Sequence, residues 1–161
     1  MSTEQNKEAA LASGGPTEPL STSQAPKKFR TIESALYDEG QPTFSNFDGD
    51  PRQRYALIAL AIGGECKGFE DLPKGGIDLK YWYCQKVDMV AQVGGEILEK
   101  IRSVIIDKEG NAYSFVSDGV PKQIDQLRQI FGDGPYNEPM KIAVDKIGLK
   151  SGRSTYAFRP V

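Results

Sequence analysis

Histidine is absent from all 161 residues. That excludes Ser/His/Asp and Cys/His catalysis and the usual Cys/His zinc patterns, leaving carboxylates, lysine, tyrosine or a bound metal for any chemistry. Cysteine is scarce too. Cys66 and Cys84 are 18 positions apart, and two thiols cannot complete an all-cysteine tetrahedral site within one chain. They are expected as free thiols of a cytoplasmic protein. No apolar run approaches the ~20 residues a membrane-crossing helix needs. The opening MSTEQNKEAALASGG lacks the basic start and apolar core of a secretory leader. There is no Walker loop, dinucleotide-binding glycine turn or calcium loop. Asp88, Glu96, Glu99 and Asp107 show no spacing that would hold a nuclease's metal. An enzyme is therefore not expected, nor any cofactor or metal.

Charge of one sign is also lacking, with 20 Lys and Arg against 22 Asp and Glu, a net −2. The distribution is uneven. Residues 1–51 hold eight acids and four bases, whereas 140–161 hold Lys141, Lys146, Lys150, Arg153 and Arg159 against Asp145 alone. A polyanion responds to the local field, and the C-terminal end supplies a basic one.

What the chain does have is one long alternating stretch, IDLKYWYCQKVDMVAQ at 77–92, rich in aromatic and β-branched residues with no Gly or Pro inside. Ile77, Leu79, Tyr81, Tyr83, Val87 and Met89 form one row, read as a core wall. Asp78, Lys80, Trp82, Cys84, Lys86 and Asp88 form the other, with an indole between two lysines, as a surface that stacks bases and neutralises phosphates requires. The same spacing also suits a tryptophan packed under a loop. A one-residue bulge would exchange the two rows.

Residues 1–50 read as a disordered polar and acidic tail, with 51–161 as the domain. From Phe29 to Phe47 scattered apolar residues suggest a docking segment or a linker. Asp50-Pro51 opens a short helix closed by Gly63-Gly64, with Tyr55, Ile58 and Ile62 on one face; RYALIALAI could instead be a strand. Strands are expected at 97–107 and 112–117, joined by a Lys108–Asn111 hairpin turn. Val120, Ile124, Leu127 and Ile130 mark an amphipathic helix capped by Ser117 or Asp118 and ended by Gly132. Strands at 140–147 and 153–161 follow, around the basic turn 148–152.

Five strands with one helix between the third and fourth is the element order of an OB-fold barrel, here mainly β with a short preceding helix. In that fold ligand crosses strands two and three between the loops joining strands 1–2 and 4–5. The second loop, KIGLKSGR, carries Lys146, Lys150 and Arg153 among glycines. Trp82, with Tyr113 or Tyr156, is expected to stack bases. Lys80, Lys86, Arg102, Lys146, Lys150, Arg153 and Arg159 are expected to neutralise phosphates, while Tyr81 and Tyr83 are assigned to the core.

The run Arg102-Ser103-Val104-Ile105-Ile106-Asp107-Lys108-Glu109-Gly110-Asn111-Ala112-Tyr113 is followed by Phe115-Val116-Ser117-Asp118-Gly119-Val120, Leu127, Phe131-Gly132 and Gly152-Arg153-Ser154-Thr155-Tyr156. Together these resemble the single-stranded DNA-binding proteins of bacteriophages and mobile elements, over about 77–161. The resemblance implies an OB-like fold and sequence-independent coating of single-stranded DNA in replication or recombination, in the host cytoplasm if viral. It locates no binding residues. The chain stops at Arg159-Pro160-Val161 without an acidic tail, so replication or recombination partners would be recruited by the N-terminal segment. The rival reading is a protein-interaction module using the same barrel with little DNA affinity, which the modest basic content favours. The stretch TIESALYDEGQPTFSNFDGD mixes aromatic rings with acids and could compete with DNA; deleting 1–50 would then tighten binding.

Overall fold

The computed structural model describes residues 29–91 and 93–161. A π-helical turn at Ser34–Asp38 leads into strand β1 (Thr43–Ser45) and helix α1 (Pro51–Ile62). Strands β2 (Ile77–Val90), β3 (Ile97–Asp107) and β4 (Ala112–Val116) follow, then helix α2 (Gly119–Phe131) and strands β5 (Lys141–Gly148) and β6 (Ser154–Pro160). The antiparallel order is β4-β3-β2-β5-β6, with β1 added to β2. The expected OB-like, mainly β architecture is what forms.

The long strand β2 serves both halves of this curled sheet, pairing with β3 from Leu79 to Val90 and with β5 at Ile77 and Asp78. The ends of the sheet meet through side chains. The Phe115 and Tyr156 rings lie 5.0 Å apart, and the Ser117 and Thr155 hydroxyls 3.5 Å apart.

Register explains where the sequence reading fails. Leu79 faces Asp107 but Tyr81 faces Ile106, so two residues of β2 oppose one of β3. This bulge exchanges the rows. Trp82 and Cys84 join Ile77 and Leu79 in the barrel core, while Tyr81 and Tyr83 turn to the outer face with Val104, Ile106 and Ala112. There they are covered. Phe47 stacks on Tyr83 at 5.4 Å and meets Tyr81 edge-on at 5.6 Å, and Leu57, Leu60 and Ala61 of α1 pack beside them.

Helix α1 begins at Asp50-Pro51 as read from sequence, and Gln53 completes the cap. The Asp50 carboxylate accepts from the Gln53 N–H at 2.9 Å, the Gln53 side-chain Oε1 accepts from the Asp50 N–H at 2.8 Å, and Pro51 occupies the first helical position. Its Tyr55, Ile58 and Ile62 face, however, is exposed, because the sheet takes Leu57, Leu60 and Ala61 instead. In α2, Val120 and Ile124 are buried and Leu127 partly so, but Ile130 emerges into solvent at the last turn.

The boundary expected at residue 50 moves toward the N-terminus. Residues 1–28 of the expected tail lie outside the described residues, but 29–50 pack as part of the domain. Ile32 and Leu36 are fully buried, worth roughly 1.5–3 kcal/mol each. The link is polar as well. Buried Arg128 donates to Asp125 at 2.6 Å, to the Arg30 carbonyl at 2.9 Å and to Asp133 at 2.8 Å, while its guanidinium lies over the Phe29, Phe44 and Trp82 rings. Asp125 accepts the Ile32 N–H at 3.2 Å, and burial pushes its pKa up. These contacts join residues that no local sequence pattern relates. None of the described helices is long and apolar enough to cross a membrane.

Candidate nucleic-acid interface

Past the point where β1 and β4 leave them, β2 and β3 continue as a two-stranded ribbon. Its turn passes through Gly94 and Gly95, both at positive φ, which a side chain would strain. Opposite it stands the β5–β6 turn, where Leu149 N–H donates to the Arg153 carbonyl at 2.8 Å and Gly152 supplies another positive φ. Between the two lie the end of β4 and the start of α2. They enclose a cleft of about 280 Å³.

Met89 and Val116 supply apolar floor, Leu149 an apolar wall, and Lys100 and Arg153 positive charge. Ser117, Ser154 and Thr155 bring hydroxyls, and the first turn of α2 adds its positive dipole end. One anion already sits there. The Asp118 carboxylate is 3.6 Å from the Lys100 ammonium and makes no capping hydrogen bond to α2; Ser117 Oγ accepts the Gly119 N–H instead. One row below Lys100 on the outer face, Arg102 lies between Gln85 and Val116 and donates to Gln85 at 3.2 Å. Burial pushes the Tyr83 hydroxyl's pKa up, and the nearby Arg102 guanidinium pulls it the other way.

The expected stacking residues are not at this surface. Trp82 is 1% exposed; its indole N–H donates to the Asp133 carbonyl at 3.0 Å, and Phe44 meets it edge-on. Tyr113 is 2% exposed, opposite Ile105, with its pKa raised by burial. Tyr156 is wedged between Phe69 and Phe115, where it closes the barrel. For Trp82 the cause is the bulge. For the tyrosines it is that strands β4 and β6 point those positions inward.

The expected cations divide. Arg153 lines the cleft and Lys150 stands exposed in the same turn, with Arg102 on the adjoining sheet face. Lys146 lines a separate depression with Phe69 and Lys74, and Arg159 is paired with Asp145 at 2.8 Å. Lys80, the extra residue of the bulge, lies over the Tyr81 ring, and Lys86 sits opposite buried Ile101. Lys100, Met89, Leu149 and Val116 were missed. Lys100 had a usable signal, since it shares its strand row with Arg102.

A family model described as phage single-stranded DNA-binding protein, of the Phi29 type, matches residues 39–159. No curated protein and no solved structure matches the chain. The match starts within the docked segment 29–50, runs through the barrel and takes in both hairpins that flank the cleft. By that match the chain belongs to the Phi29-type family of phage single-stranded DNA-binding proteins.

Proposed function

We propose that the chain coats single-stranded DNA without reading its sequence, during phage DNA replication or recombination in the host cytoplasm, and performs no chemistry on it. The observation that carries this reading is the cleft between the two hairpins. Lys100, Arg102, Lys150 and Arg153 border an apolar strip formed by Met89, Val116 and Leu149. Cations hold phosphates wherever they fall along the backbone, and apolar side chains accept any base or sugar, so neither distinguishes sequences. The net acidity of the chain is no obstacle, because field strength at the cleft is set within about 8–10 Å at physiological salt.

Binding of oligo(dT), oligo(dA) and mixed sequence at two salt concentrations tests the reading. Four cations on a single strand give a slope of about −0.7 per phosphate neutralised, hence roughly 50-fold weaker binding between 50 and 200 mM salt. Arg153→Glu should reduce affinity on all sequences alike. Salt-independent binding, or a strong preference for one base, would refute it.

A further inference from the structure

Strand alternation gives the β2–β3 ribbon two distinct faces. Val87 with Lys100 and Met89 with Leu98 are cross-strand pairs on the cleft side. On the other side, Asp88 faces Glu99 and Val90 faces Ile97, with Ile97 72% exposed. That second face does not suit DNA. Lys86 opens this row opposite buried Ile101, but from Asp88 outward residues 87–99 contain Asp88, Glu96 and Glu99 and no Lys or Arg, so the outer part of the face repels phosphate while leaving apolar surface in water. Among the described residues no strand flanks the ribbon beyond Gln85 of β2 or Arg102 of β3. A two-stranded hairpin with both edges open is marginal in water and gains from being covered.

A surface of matching character lies elsewhere on the molecule. Helix α1 buries Leu57, Leu60 and Ala61 against the outer sheet face and turns Tyr55, Ile58 and Ile62 to solvent, Tyr55 being 73% exposed. Arg52 stands one turn before Tyr55 on that stripe, so the apolar row begins with a cation, two residues after the Asp50 cap, where the ribbon face is apolar and acidic. Cis contact is blocked, because α1 lies over the outer face of the sheet and the acidic ribbon face continues the inner row.

We propose that the acidic face of the ribbon docks on the α1 stripe of a second copy of this chain, so that copies join head to tail along one DNA strand. Two different patches that meet only between molecules make a heterologous contact, which propagates as an open row rather than closing as a pair. The contact is small. Copies bound side by side on one strand meet at high effective concentration, however, so a weak interface is enough to make binding cooperative. This inference rests on the coating reading, and the test separates the two.

Binding is measured on an oligo(dT) long enough for one copy and on one long enough for many, with sedimentation of the protein alone at rising concentration. Tyr55→Ser and Ile97→Ser are expected to leave single-copy affinity unchanged, to lower affinity on the long strand by about tenfold or more, and to abolish concentration-dependent self-association. Arg52→Glu and Glu99→Arg should each do the same, and the double variant should recover, since the pair is restored with its signs exchanged. Equal losses on short and long strands would overturn the proposal by making these residues DNA contacts. Unchanged cooperativity in the single variants, or a wild-type protein that stays monomeric at all concentrations and binds long strands without cooperativity, would overturn it as well. Failure of the wild type to bind either oligonucleotide would instead refute coating, and sedimentation would still decide the contact between copies.

Discussion

Replacing Trp82 with Phe separates a structural tryptophan from one that stacks bases. The substitution removes the indole N–H that donates to the Asp133 carbonyl at 3.0 Å. That carbonyl keeps the Asn46 side-chain amide at 2.8 Å, so it is not orphaned, and the hydrogen-bond loss sits near the usual net value of about 1 kcal/mol. Shrinking a fully enclosed ring system adds a cavity cost of roughly 1–2 kcal/mol, and the weaker partner for the Arg128 guanidinium, 5.2 Å from the indole, adds about 0.5–1. The sum is about 3 kcal/mol. In urea, with a slope of about 1–3 kcal/mol/M, the midpoint should fall by about 1–3 M. Circular dichroism reads the stability, and anisotropy of a labelled oligo(dT) reads binding below the transition, where affinity should stay within about twofold of wild type. Wild-type tryptophan emission should likewise barely respond to DNA, because the ring is enclosed. A Phe variant of undiminished stability that binds oligo(dT) tenfold more weakly would refute the reasoning and restore the indole as a stacking surface.

Deletion of residues 1–50 should unfold the domain rather than tighten DNA binding, because it removes the buried Ile32 and Leu36 and the segment that Arg128 holds; a thermal melt of the 51–161 fragment with a cooperative transition near that of the full chain would contradict this. Burial pushes the Cys84 thiol up to about 12, so near pH 8 a thiol reagent should modify half-buried Cys66 first and reach Cys84 only on unfolding; two equally fast thiols would show that the core is open. Asp118→Asn should raise oligo(dT) affinity about two- to fivefold, since an exposed ion pair is worth up to about 1 kcal/mol and the carboxylate occupies the Lys100 ammonium that a phosphate would take. Unchanged or weaker binding would place the phosphate path elsewhere.

Much of the barrel was legible because strands and helix caps are written locally. Alternation marks β2, Asp50-Pro51 and the closing Gly63 mark α1, and the Val120–Ile124–Leu127 spacing with Gly132 marks α2. What was not legible depends on contacts between distant positions. The bulge between Leu79 and Tyr81 leaves no local signature, yet it decides which of Trp82 and Tyr83 enters the barrel. Strand β1 is only three residues long and takes its conformation from pairing with Gln85, Cys84 and Tyr83. The Asn46 side chain then accepts the Trp82 N–H and donates to the carbonyls of Lys80 and Asp133, a set of partners spread over 87 positions. A segment that looked too polar to fold is thus held by a few buried groups, not by its average composition.

The same distinction between local and assembled features explains how a chain of net charge −2 can belong to a DNA-binding family. No continuous stretch of sequence is strongly basic at the cleft. Lys100 and Arg102 come from β3, and Lys150 and Arg153 come from a turn some fifty positions later. The fold sums these charges at one end of the barrel, while acids elsewhere are spent within the structure: Asp125 on Arg128, Asp107 on its own hairpin turn, Asp145 on Arg159. Asp125 and Asp145 contribute little to the field at the cleft, because an arginine neutralises each close by. Those on the far face of the ribbon, Asp88 and Glu99, stand directly opposite one another, a repulsive arrangement across two strands. An arginine from a neighbouring copy would relieve it, and phosphate would make it worse. On the reading proposed above, the acidity that argues against DNA binding when counted over the whole chain would, once placed, keep the strand on one face of the ribbon and leave the other to protein.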